Sequence, residues 1–123
     1  MRVLTFYKRY LEPVQEGRKR ATIRKARTVA NLRPGDPLRL AFGSWAKPHV
    51  IDATCTAVEP LDPDQLTPKR RTEIIDLDGI TAQRLDELLA DPEPKVLIRF
   101  TVHPTSAELA QGQLWGRRSG TSP

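Results

Sequence analysis

The sequence is poor in cysteine, in aromatic residues and in long apolar runs. Cys55 is the single cysteine, which excludes a disulfide framework and a cysteine-rich metal site. No stretch approaches the roughly 18 consecutive apolar residues of a membrane span. The first residues also lack the apolar run of a signal peptide. We therefore expect a cytoplasmic protein without a membrane partner.

Length and turn-forming residues define the expected domain. The 123 residues suffice for one modest hydrophobic core and are too few for two. Eleven prolines and seven glycines favour many short elements over a helix bundle. We expect one domain over residues 1–104. Residues 105–123 show little core-forming periodicity, and we expect a tail there with room for one short helix.

Charge is distributed unevenly along the chain. Residues 1–27 hold nine Lys and Arg against two acidic residues, whereas residues 59–94 hold ten acidic residues against four basic ones. The net charge of +5 favours an anionic partner. The alternative for such a charge run is a solvated surface that keeps a small protein soluble.

Alternating apolar residues predict several strands. A Pro-Gly turn at residues 34–35 precedes one strand, and two further alternating segments follow at residues 49–58 and 95–102. The residues expected to face the core are Leu38, Leu40, Phe42, Ile51, Ala53, Cys55, Ala57, Val96, Ile98, Phe100 and Val102.

Two short helices are expected beside these strands. Residues 7–14 carry apolar side chains on one helical face and end at Gly17, but Pro13 implies a kink or a late start. Thr81 is a plausible N-cap of the second helix. Short strands and short helices together predict an α+β protein built on a small, mostly antiparallel β-barrel.

The stretch GRKRATIR at residues 17–24 has the spacing G-x-K-x-x-T-x-R, and P-G-D follows at residues 34–36. With the opening Thr5-Phe6 and the order of elements over residues 4–102, the sequence resembles the ASCH domain family, whose fold is similar to the PUA barrel of RNA-binding proteins. Within that family it is most similar to the small bacterial N4-acetylcytidine amidohydrolases. The resemblance implies a PUA-like barrel and a hydrolase, without cofactor, that acts on an acetylated pyrimidine nucleoside or base.

The same resemblance suggests roles for individual residues. The family enzymes use a lysine, a threonine and a later glutamate, and the first two correspond to Lys19 and Thr22. A threonine hydroxyl needs a base, and a lysine can serve when nearby positive charge and partial desolvation lower its pKa. Arg24 is the candidate for stabilising negative charge on the acetyl oxygen. The acid position falls on Asp78, with Glu73 as the alternative.

Two features limit the transfer of these roles. The close look-alikes carry threonine where this chain has Arg20, and aspartate at position 78 reaches about one methylene less far than glutamate. In one regular strand, Lys19 and Thr22 would also point to opposite faces. Lys19 must therefore lie in the turn after Gly17, or a bulge must intervene.

A second hypothesis is an RNA-binding, or RNA-cleaving, PUA-like module. Under this hypothesis, the basic residues of the segment 17–24 bind phosphates of single-stranded RNA, and Trp45 stacks on a base. Arg24, Arg20 and Trp45 are the substrate-binding candidates under either hypothesis. His49 and His103 lack metal-ligand spacing, so we expect no metal site.

Overall fold

The computed structural model describes residues 1–103 of the chain. The five strands are β1 (Arg2–Phe6), β2 (Ala21–Lys25), β3 (Pro37–Phe42), β4 (His49–Leu61) and β5 (Lys95–Val102). The three α-helices are α1 (Leu11–Gln15), α2 (Pro68–Asp78) and α3 (Ala82–Ala90). Short 3₁₀ turns cover Lys8–Tyr10, Ala26–Val29 and Pro63–Gln65.

The strands form one mixed sheet in the order β1-β3-β4-β5-β2, curved into a half-barrel. The β1–β3 pair is parallel and the other three pairs are antiparallel. The predicted α+β, mostly antiparallel fold is therefore confirmed. The two edge strands are linked through a side chain, since Arg24 Nη2 donates to Thr5 O at 2.7 Å.

One hydrophobic core fills the inside of the half-barrel. The predicted alternation in β3 and β5 is confirmed, and the Phe6 and Phe42 rings stack at 5.0 Å between centroids. In β4 a bulge between Cys55 and Ala57 shifts the register. Val58, and not Ala57, then packs against this core. The prediction for Ala57 was wrong because an extra residue in a strand reverses the alternation beyond it.

A second apolar cluster lies on the other face of β5, under α2 and α3. Ala21, Ile23 and Leu97 of the sheet pack there with buried residues of both helices. Helix α2 was not among the two short helices expected from the sequence. Thr67 caps the helix by accepting a hydrogen bond from Arg70 N. The N-cap predicted at Thr81 of α3 is confirmed, since its side chain accepts from Arg84 N.

The segment from α1 to β2 makes a tight turn. Pro13 is the third residue of α1, in the first turn, where a missing N–H costs little. Gly17 has φ +78°, the left-handed conformation expected at a helix end. Arg18 N and Lys19 N both donate to Pro13 O, and Arg20 N donates to Leu77 O at 2.7 Å. These bonds fasten the turn to α1 and to the end of α2.

The predicted tail at residues 105–123 lies outside the described residues, so its boundary and its short helix stay predictions. Within residues 1–103, no helix is long and apolar enough to cross a membrane.

Candidate functional site

A cavity of about 480 Å³ opens between β2, the turn after β1 and the α2–α3 junction. Lys19, Thr22, Arg24 and Asp78 all line it. These four residues come from two separate segments of the sequence, residues 19–24 and the end of α2, and the fold brings them to one place.

Lys19 and Asp78 form a buried ion pair in this cavity. Lys19 Nζ lies 2.6 Å from Asp78 Oδ1 and also donates to Asp78 O at 2.9 Å. Each side chain is 4% exposed. Lys19 precedes β2 and lies in the turn after Gly17, which is the first of the two solutions expected for the strand-parity problem. Asp78 is the last residue of α2, and Gly79 ends the helix in a left-handed conformation.

Burial is the main cause of a lowered pKa at Lys19. The charge and hydrogen bond of Asp78 oppose that shift, whereas the charge of Arg24 adds to it. Desolvation and nearby positive charge were both expected to lower this pKa, and Arg24 supplies the positive charge. Arg18 pairs instead with Glu16 at 2.7 Å. The amine therefore gives up a proton more readily than an exposed lysine does.

Thr22 and Arg24 lie two residues apart on one face of β2, as strand alternation predicts. Arg24 Nη1 donates to Thr22 Oγ1 at 2.6 Å, and the guanidinium carbon lies 4.8 Å from the centroid of the Phe6 ring. Burial lowers the pKa of Arg24, with Asp78 opposing the shift. The threonine oxygen is thus held beside a fixed positive charge. This charge stabilises the alkoxide form of Thr22 more than solvent stabilises that of an exposed threonine.

The sequence did not predict that aromatic side chains belong to the site. Lys19 Nζ lies 5.1 Å from the centroid of Tyr10 and 5.9 Å from that of Phe6, so both rings face the amine. Sequence periodicity assigned Tyr10 to a helical core face. The Tyr7 ring, 71% exposed, lies at the edge of the cavity. The sequence feature that could have predicted this aromatic contact is the pair Tyr7 and Tyr10, shortly before the predicted turn.

Three other candidates lie away from this cavity. Arg20 is exposed and pairs with Asp76 at 2.9 Å. Trp45 is 92% exposed in the β3–β4 loop. Glu73 is exposed on α2 and does not line the cavity. Of the two acids considered, only Asp78 contacts Lys19.

The part of the chain that the structure describes contains no group of three or more His, Cys, Asp or Glu side chains that could hold a metal ion. Lysine, threonine, arginine and aspartate are among the polar side chains that line the cavity.

No protein-family model and no curated protein matches the chain. Solved structures do match. The ASCH protein of Zymomonas mobilis is 12% identical with a TM-score of 0.65, covering 98% of this chain and 80% of that one. Protein EF3133 of Enterococcus faecalis V583 is 19% identical with a TM-score of 0.60, covering 92% and 82%. An ASCH domain of Lactobacillus crispatus JV V101 is 15% identical with a TM-score of 0.52, covering 82% and 79%.

Proposed function

Because the chain has the ASCH-domain fold, we propose that it is an amidohydrolase that removes the acetyl group from N4-acetylcytidine or a related acetylated pyrimidine. The observation that carries this proposal is the buried Lys19–Asp78 pair, which shares one cavity with Thr22 and Arg24. A base, a hydroxyl, a cation and an acid are the groups that acyl transfer from an amide requires.

In the proposed first step, Lys19 Nζ in its neutral form takes the proton of Thr22 Oγ1 as that oxygen attacks the acetyl carbonyl carbon. The carbonyl oxygen becomes negatively charged, and Arg24 stabilises it. Support for this role comes from the Arg24 guanidinium, which already donates to the threonine oxygen at 2.6 Å. A preorganised donor of this kind contributes about 3–4 kcal/mol to such a step.

In the second step, the bond between the carbonyl carbon and N4 breaks, and N4 takes up a proton to leave as the cytidine amine. Asp78 is the proposed acid: it receives the proton that Lys19 took from Thr22, across the 2.6 Å contact between them, and passes it to N4. Water then attacks the acetyl ester on Thr22. This releases acetate and restores the hydroxyl.

The size and the apolar walls of the cavity suit a pyrimidine base. Its volume, about 480 Å³, lies within the usual range for a small-molecule site. Ile80 and Leu88 supply apolar wall, and the exposed Tyr7 ring supplies a flat surface at the edge. A planar pyrimidine can stack on such a ring.

Acetate release tests the proposal. We expect the full chain to convert N4-acetylcytidine into cytidine and acetate, and Thr22→Val to abolish turnover because it removes the hydroxyl while conserving shape. Thr72→Val is the matched control, since Thr72 is exposed on α2 and bonds only to Pro68 O at 3.1 Å among the described contacts.

RNA binding is the second candidate function. The exposed Trp45 ring and the net charge of +5 favour it. Against it, Arg18 and Arg20 are each paired with an acidic side chain. A wild-type protein that binds single-stranded RNA tightly and releases no acetate would reject the hydrolase and leave the RNA-binding module.

A further inference from the structure

A second cleft, of about 600 Å³, lies beside the C-terminal half of β5. It exists because β2 is shorter than β5: Ala21, the first residue of β2, pairs with Arg99, and β5 continues to Val102. The far wall is the end of α1, where Val14 and Gln15 line the cleft. The cleft thus occupies the space that a longer β2 would fill.

Basic and hydroxyl-bearing side chains line this cleft. Arg99, Thr101 and His103 follow one another at every second position, on the face of β5 that carries the buried Leu97 further back. Arg20, just before β2, and His49, the first residue of β4, also line the cleft. Among the described residues, no acidic side chain lines it.

The two arginines are available to a ligand. Arg20 Nη2 pairs with Asp76 at 2.9 Å, and both side chains are exposed. Arg99 Nη1 lies 3.6 Å from Oε2 of the half-buried Glu59, which also pairs with Arg70. Ion pairs near the surface, and pairs as long as 3.6 Å, are weak, so little free energy opposes the exchange of these partners for a better anion. A phosphate group accepts two parallel hydrogen bonds from one guanidinium and carries more charge than a carboxylate.

We propose that this cleft binds a phosphate-bearing ligand through Arg20 and Arg99. Thr101 and the ring nitrogens of His49 and His103 supply further donors to the phosphate oxygens. His103 Nε2 is held 2.6 Å from Thr54 Oγ1, which fixes the orientation of its ring. Lys19 lines both this cleft and the cavity around Thr22, whereas Arg20 and Arg99 line the cleft and not the cavity, so substitutions of the two arginines test the proposal separately from the hydrolase.

Calorimetric titration of the full chain tests the cleft with three probes: inorganic phosphate, cytidine 5′-monophosphate and a short single-stranded oligoribonucleotide. We expect binding of at least one probe, and about tenfold weaker binding in Arg99→Gln and in Arg20→Gln, since each loses a charge-assisted hydrogen bond. Acetate release should stay unchanged in Arg99→Gln.

Arg39→Gln is the matched control. Arg39 has similar exposure and an exposed partner, Asp52 at 3.3 Å, but does not line the cleft. Failure of all three probes to bind, or equal weakening in Arg39→Gln, would overturn the proposal. If only the oligonucleotide binds well and each cleft variant lowers its salt slope by about one unit, the phosphates belong to a nucleic acid strand. If the small probes bind as well as the oligonucleotide, the ligand is a small phosphorylated molecule.

Discussion

Lys19 Nζ lies 2.6 Å from Asp78 Oδ1, although the two residues are 59 positions apart. The contact joins the turn before β2 to the last residue of α2. The Asp78 carboxyl group lies at the carbonyl end of a helix, where the helix dipole disfavours a negative charge. A buried lysine offsets that cost. The pair therefore ties the end of α2 to the turn before β2 and lines the cavity.

The first prediction concerns this pair and the free energy of unfolding. Lys19→Met and Asp78→Asn should each destabilise the protein by about 3–5 kcal/mol, because each leaves one buried charged group without its partner. The double variant should cost less than the sum of the single variants. Denaturant unfolding of all four proteins gives the coupling energy, which we expect at about 1–3 kcal/mol.

Arg20 and Asp76 provide the matched control, since they join the same two segments at the surface, 52% and 75% exposed. The cycle of Arg20→Gln and Asp76→Asn should give a coupling below about 1 kcal/mol. Equal coupling in the two cycles would contradict a special role for the buried pair.

The second prediction separates the Thr22 hydroxyl from its shape. Thr22 is 2% exposed, and its oxygen accepts from Arg24 Nη1. Thr22→Ser keeps a nucleophilic hydroxyl and should retain measurable kcat, whereas Thr22→Val should lose it entirely. The comparison is made on acetate release at saturating N4-acetylcytidine. Turnover by the valine variant would exclude Thr22 as the nucleophile.

The third prediction concerns pH and stability. Burial lowers the pKa of Lys19 in the folded protein, so the unfolded chain binds this proton more tightly. Between the lowered pKa and the unfolded value near 10.4, the free energy of unfolding should therefore rise with pH. Below the lowered pKa, the full destabilising effect of the buried charge is present.

Urea unfolding of the wild type and of Lys19→Met, followed from neutral pH to about pH 9, measures this effect. The wild-type curve should rise relative to that of the variant. Parallel curves would mean that Lys19 stays protonated over this range in the folded protein, and it would then be a poor base.

Local patterns account for most of the predicted fold. Leu38, Leu40 and Phe42 alternate within one strand, and alternation depends only on neighbouring residues. Helix α2 was not predicted because its apolar residues are confined to its second half. Its charged first half has the composition of a linker. Its ends did carry signals, Thr67-Pro68 at the start and Gly79 after the last residue.

Only part of the candidate site was predicted, because only part of it depends on residues that are close in sequence. Lys19, Thr22 and Arg24 share one motif, so their proximity follows from the local chain. The contacts of Lys19 with Tyr10 and Phe6 depend on how α1 and β1 pack around the turn, and no local pattern encodes them. The same holds for the second cleft, which results from a difference in length between two strands.

The last prediction assigns the acid. Asp78→Asn should lower kcat on the order of a hundredfold, because it removes the titratable proton. Asparagine Oδ1 can still accept a hydrogen bond from Lys19 Nζ, so a residue that only positioned the lysine would tolerate this change with a normal kcat. Asp78→Glu restores the proton but adds a methylene to a buried pair, which typically costs 1–3 kcal/mol, and we expect kcat between the wild-type and Asn values.

Glu73→Gln makes the same chemical change on the same helix, at an exposed position away from the cavity, and should leave kcat unchanged. Steady-state rates of acetate release compare these variants once unfolding curves have shown that each is folded at the assay temperature. A large loss in Glu73→Gln with normal turnover in Asp78→Asn would move the acid to Glu73. Because Glu73 does not line the cavity, that result would also require α2 to shift before reaction, and the Lys19–Asp78 contact would have to open with it.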